Sequence, residues 1–168
     1  MRSTISGLLA ASLLAGCAHL SDSGLVVGQS TGAEGVAKFG QPANRVAKPD
    51  GGSVLYYPQG PYGHTSYAVV LGADGKLQAI EQRLTDENFA KIIPGTTTAK
   101  QVLELLGPSL IHNTLPWQGR EVWEYKLPID TTRYVLWVQF SSADGIVREV
   151  AKVSDPEWEM QRGSDSHR

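Results

Sequence analysis

The chain has a single cysteine among its 168 residues, and that scarcity excludes a good deal. One thiol cannot close an internal disulfide, and zinc sites built on cysteine need at least two. Charge is also sparse: charged residues make up 19%, the formal net charge is -2, and no basic run occurs. The sequence therefore gives no electrostatic reason to expect nucleic acid or a polybasic contact with a membrane surface. The four histidines, His19, His64, His112 and His167, are scattered, with no two at metal-ligand spacing. No Gly-x-Ser-x-Gly or comparable nucleophile motif is present. No metal, cofactor or catalytic residue is expected. With no disulfide to staple it, the fold has to be held by packing.

The one long apolar run lies at the start. Arg2 is followed by a largely apolar stretch from Ile5 to Ala15 that ends in small residues, the plan of a secretory signal peptide. It is too short to span a bilayer, which takes about 20 apolar residues. Leu14-Ala15-Gly16-Cys17 then resembles a bacterial lipobox, in which the peptide is cut before the cysteine and the new first residue is acylated. Residues 1–16 read as the lipoprotein signal, Cys17 as the site of lipidation, and residues 17–24 as a short polar tether. Several acyl groups hold stably where one binds only marginally. Ala18 after the cysteine resembles sorting to the outer membrane, so the expected address is lipid-anchored there, facing the periplasm.

Two stretches repeat without a gap. Gly28 to Gly40 aligns with Gly95 to Gly107, and Thr31-Gly32-Ala33-Glu34 falls on Thr98-Ala99-Lys100-Gln101. Both read as capping boxes, in which the threonine hydroxyl caps a helix and Glu or Gln reaches back. Val36 and Phe39 match Leu103 and Leu106 as apolar pairs. Gly40 and Gly107 fit the left-handed position that ends a helix, with Pro42 and Pro108 beyond. Helices this short are marginal alone and must lie on a sheet.

The sheet follows in each copy. Strands are predicted over 53–57 and 121–127, 67–71 and 134–140, and 76–83 and 146–153. Asp74-Gly75 and Asp144-Gly145 mark hairpins. An extra edge strand is predicted over 44–47 and 110–115. Between the copies, residues 84–92 predict a helix capped by Thr85, with Leu84 stapled to Phe89. The first copy lacks this helix, because the equivalent positions fall on the tether near Cys17. Asp155-Pro156 could start a short helix in a polar tail, residues 155–168. The expected fold is α+β, with two tandem modules at residues 25–84 and 85–154, each of short helices on a three- or four-stranded antiparallel meander.

Asp74 and Asp144 suggest paired carboxylates only until their turn context is seen. Aromatic residues carry more. Tyr62 and Trp117 each sit in a Pro/Gly loop between strands and are the candidate partner-binding residues. Trp123, Tyr125, Tyr134 and Trp137 fall within strands, where packing is the ordinary role.

Residues 92–107, followed by a Trp/Tyr strand and an Asp-Gly hairpin, resemble the SmpA/OmlA (BamE-like) family of outer-membrane lipoproteins. Two such modules in tandem look like the β-lactamase inhibitory protein arrangement. The resemblance implies a noncatalytic protein-interaction module whose partner belongs to the cell envelope, with the β-barrel assembly machinery as the family's own setting. It also implies an alternative, an inhibitor-like or ligand-binding protein using an aromatic sheet face. A hydrolase would require His64 or His112 beside a carboxylate in a cleft. The lipid expectation is directly testable. The isolated chain should begin at residue 17 and carry acyl mass, and Cys17→Ser should move it from the membrane to the soluble fraction. An unmodified thiol on the mature chain would remove the anchor.

Overall fold

The computed structural model describes residues 23–59, 64–127 and 133–157. Within them the chain forms two four-stranded antiparallel sheets with short helices, an α+β fold of two tandem modules. The first module runs α1 (Gly32–Phe39), β1 (Asn44–Ala47), β2 (Ser53–Pro58), β3 (Ser66–Leu71) and β4 (Leu77–Gln82). After the link helix α2 (Asp86–Phe89), the second runs α3 (Ala99–Leu106), β5 (Ile111–Leu115), β6 (Arg120–Lys126), β7 (Tyr134–Ser141) and β8 (Val147–Ser154). Each sheet is a simple meander in chain order.

The duplication extends to main-chain detail. Both capping boxes are formed: Glu34 N donates to Thr31 Oγ1, and Gln101 N to Thr98 Oγ1, each at 3.3 Å. Thr31 bridges to Lys76 and Thr98 to Ile146, so each helix start is clamped to the β3–β4 or β7–β8 hairpin. Leu77 N donates to Ser30 O at 2.7 Å, and Val147 N to Thr97 O at 2.8 Å. Even the bulge recurs, between Val70 and Leu71 and between Gln139 and Phe140.

In four places the structure departs from the sequence expectation. Gly40 and Gly107 have φ 82 with ψ near 180°, a region essentially reserved for glycine, rather than the compact left-handed helix region. The α3 face that enters the core is Val102 with Leu106, both fully buried, whereas Leu103 is only half-buried; the stripe is shifted by one residue. Helix α2 is a single turn, ending at Phe89 and not continuing to residue 92. Asp74 and Asp144 do not take positive φ; only the following Gly75 and Gly145 do. Both aspartates instead accept from the backbone N–H two residues on, that of Lys76 at 3.1 Å and of Ile146 at 2.9 Å. That is turn chemistry, and it accounts for both carboxylates.

The larger core lies in the second module. Leu84, Ile92, Val102, Leu106, Tyr125, Leu127, Leu136, Val138, Phe140 and Val147 form one buried cluster, with Phe89 partly buried against it. Leu84, which follows the first sheet, thus packs with the second module. In the first module Leu55, Tyr57, Val69, Leu71 and Leu77 face α1, and Leu25, Val36, Phe39 and Ile80 complete the cluster only in part. Gly35 of α1 stands where α3 has Val102, which thins this core.

The opposite face of the first sheet carries Val54, Tyr56 and Ala68. It meets the back of α3: the Tyr56 hydroxyl donates to Glu104 O at 2.8 Å, and a Cβ built at Gly107 would lie 2.8 Å from Tyr56 Cδ1. Tyr56 is 1% exposed, so this contact joins the modules through a dry aromatic wedge. Burial pushes the Tyr56 hydroxyl above the ordinary tyrosine range and keeps it a neutral donor. A second link is His64, whose Nδ1 lies 2.6 Å from Leu127 O.

The two helix-ending glycines make a controlled comparison. A Cβ at Gly40 meets nothing within 4 Å, while one at Gly107 collides with Tyr56. Gly40→Ala should cost about 1–3 kcal/mol from backbone strain alone. Gly107→Ala should cost roughly 1–3 kcal/mol more from overpacking. Denaturant unfolding of the two variants checks this, and equal losses would mean that the inter-module wedge yields without resistance.

Candidate functional site

Of the two aromatic loop residues singled out in the sequence, Trp117 is described and Tyr62 lies outside the described residues, as does Cys17. Pro116 opens a single 3-10 turn, Pro116–Gln118, between β5 and β6, and Gly119 closes it in the left-handed region at φ 60. Proline presets the first turn residue and glycine accepts the reversal, so the indole is carried at the tip of a rigid hairpin. Trp117 is 78% exposed, the most exposed large apolar side chain among the described residues.

The other strand aromatics are accounted for by packing. Tyr125 is buried, its hydroxyl donating to Gly107 O at 3.1 Å, and burial drives its ionisation far upward. Trp123 packs on Phe140 with ring centroids 4.6 Å apart, and its Nε1 donates to Glu121 at 2.6 Å. Lys152 Nζ sits 5.1 Å from the centre of the Tyr134 ring. By strand register Trp123, Tyr125 and Tyr134 share one sheet face, whereas Trp137 is on the other, donating to Glu124 at 2.8 Å. The four do not form one exposed patch.

His112 does stand beside a carboxylate: its Nδ1 is 3.4 Å from Glu121 Oε1. Its Nε2 lies 3.0 Å from Ser109 O, and the ring stacks on Trp123 at 5.1 Å. Both ring nitrogens therefore face acceptors within the protein. The pair sits half-exposed on the surface of β5 and β6. His64 faces a main-chain carbonyl, as described above. No group of three or more His, Cys, Asp or Glu side chains that could hold a metal occurs among the described residues.

β6 carries Lys126 into the protein interior beside a half-buried Glu124. Lys126 Nζ lies 3.0 Å from Asp155 Oδ1, 3.2 Å from Glu157 Oε2 and 3.4 Å from Glu124 Oε1, with its side chain 3% exposed. Burial alone would lower its pKa, but the bonds to Asp155 and Glu157 and the charges of Asp155 and Glu124 outweigh it, holding the ammonium above the ordinary lysine range. Asp155 also accepts from Glu157 N at 3.0 Å, so the cap foreseen for the tail is anchored to the sheet through Lys126. This is a structural ion cluster: buried charges persist when paired.

One concave feature was not foreseen. An open groove of about 420 Å³ lies in the first module between the end of α1 and the sheet, lined by Phe39, Ala43, Tyr57, Tyr67, Val69 and Ile80 among others. Its lining includes Tyr57, whose hydroxyl is buried and has no hydrogen-bond partner among the described residues. The available signal was the absence of apolar residues ahead of Gly28 in the places where Leu84 and Phe89 precede Gly95.

The fold is a tandem helix-on-meander arrangement, with an exposed aromatic at the tip of the β5–β6 hairpin. No protein-family model matches the chain, and no curated protein matches it. Among solved structures it is similar to a DUF4309 family protein (YjgB) from Bacillus subtilis, at 22% identity over 79% of this chain and 83% of that one, with a TM-score of 0.31. A likeness that low bears on neither fold nor function. No helix among the described residues is long and apolar enough to cross a membrane.

Since Trp117 touches solvent rather than core, Trp117→Ala should shift unfolding free energy by no more than about 0.5 kcal/mol. A larger loss in thermal or denaturant unfolding would show the indole to be structural and remove it as a contact residue.

Proposed function

We propose that this chain is an outer-membrane-anchored lipoprotein that acts as a protein-interaction module, an accessory in envelope or β-barrel outer-membrane protein assembly. Acylated Cys17 holds it to the lipid, and Trp117, with Tyr62, contacts the partner. The observation that carries the reading is the exposure of Trp117 on a Pro/Gly-framed hairpin tip while the core aromatics are packed or hydrogen-bonded. An aromatic held rigidly in water presents a large desolvation gain at small entropic cost, the usual property of an interface anchor. The lipobox-like start supports the address, and the SmpA/OmlA resemblance supports the choice of partner class.

Trp117 replaced by a photo-reactive residue in intact cells should crosslink to a component of outer-membrane protein assembly. The same residue at Lys100, a well-exposed position on α3, should not. Capture of a periplasmic enzyme instead would favour an inhibitor-like role, and equal labelling from both positions would overturn the assignment of Trp117.

A further inference from the structure

The two copies of the module carry the same groove, and among the described residues only the second is filled. In the second module Leu84 and Ile92 are buried and Phe89 partly so, packed with Leu106, Tyr125, Leu127, Leu136 and Val138. In the first, Leu25 packs into its cluster as Ile92 does, but no described residue fills the rest of the groove between α1 and the sheet. Counting back equally from Gly28 and Gly95, the places of Leu84 and Phe89 fall on Cys17 and Asp22. Cys17 is, on the sequence reading, the lipid-bearing first residue of the mature chain, and Asp22 brings a carboxylate. Neither place carries the large apolar side chain that Leu84 or Phe89 supplies in the second module.

The hydroxyls tell the same story. Tyr125 finds Gly107 O at 3.1 Å, whereas its counterpart Tyr57 has no partner among the described residues. Burial also raises the Tyr57 pKa, against a smaller opposing pull from Arg45, so it stays a neutral donor. Leaving a buried hydroxyl unsatisfied is destabilising, and an acceptor on an incoming segment would offset that.

We propose that the open groove of the first module binds a short amphipathic segment of a partner protein. The segment presents two large apolar side chains five residues apart around a helix start, as Leu84 and Phe89 do. It also offers a main-chain carbonyl to Tyr57. The assignment rests on the interaction-module reading and names the surface it uses.

The test is a nuclear magnetic resonance titration of the chain from residue 17 onward carrying Cys17→Ser. The probe is a synthetic peptide of this chain's own residues 82–93, with a control peptide in which both Leu84 and Phe89 are alanine. Expected are saturable shifts at Tyr57, Tyr67, Val69 and Ile80, with a dissociation constant on the order of 1 mM or tighter. The control peptide should be silent, Ile80→Asp should abolish the response, and Tyr57→Phe, which keeps the ring, should weaken it roughly 2- to 10-fold. Absence of shifts at several-fold higher peptide, an equal response to the control, or shifts centred on Leu106 and Tyr125 would overturn the proposal. So would a change in the groove resonances on removing residues 18–24, since the chain's own start would then be the occupant. Trp117 crosslinking in cells reads the interaction role separately, so a silent groove beside an intact Trp117 crosslink would sink this inference alone.

Discussion

Two eight-residue helices cannot hold themselves together in water, and the whole structure depends on how each is clamped to its sheet. The clamp is made of main chain. In each module the residue ahead of the cap, Ser30 or Thr97, accepts from the first residue of the returning strand, Leu77 or Val147. The capping threonine then bridges to the turn of the same hairpin. At the other end a glycine N–H returns to the helix, Gly40 to Val36 O at 2.8 Å and Gly107 to Leu103 O at 2.9 Å. The helix therefore forms with its orientation already set by the hairpin, and burial of one apolar face suffices to keep it.

A shared clamp with different filling explains why the copies are unequal. The second module has Val102 under its helix and α2 beside it, so its sheet face is covered by the chain itself. The first has Gly35 at the matching place and an uncovered groove. Its sheet is nevertheless used on both faces, because Tyr56 reaches the back of α3 while Leu55 and Tyr57 point toward α1. The modules are thereby joined through Gly107, which serves at once as a helix end and as the flat spot that admits an aromatic ring. Gly40 performs only the first of those tasks.

The histidine nearest a carboxylate is spent on a stacked, hydrogen-bonded strand pair, and the most buried cation is enclosed by three carboxylates. Among the described residues, Trp117 faces water most fully, ahead of Val26, Val27, Ile93 and Leu110, and the first module carries the groove. On the proposed reading, the exposed aromatic and the groove recognise another polypeptide by desolvation and shape.

The sequence by itself determined the repeat, the two capping boxes, the glycine helix ends and the order of the strands. Each of these is local: a threonine with Glu or Gln three residues on, or an Asp-Gly between alternating runs, acts within a few residues of itself. Position 117 could also be chosen from its Pro-Trp-Gln-Gly setting, although its exposure could not. Tertiary structure alone decided that Val102 rather than Leu103 enters the core, and that Lys126 is buried against Asp155. It alone placed Tyr56 on Gly107 and left the first groove open. These outcomes join residues far apart in the chain, where sheet twist and the approach of one module to the other set the distances, and no short pattern of residue types encodes such distances.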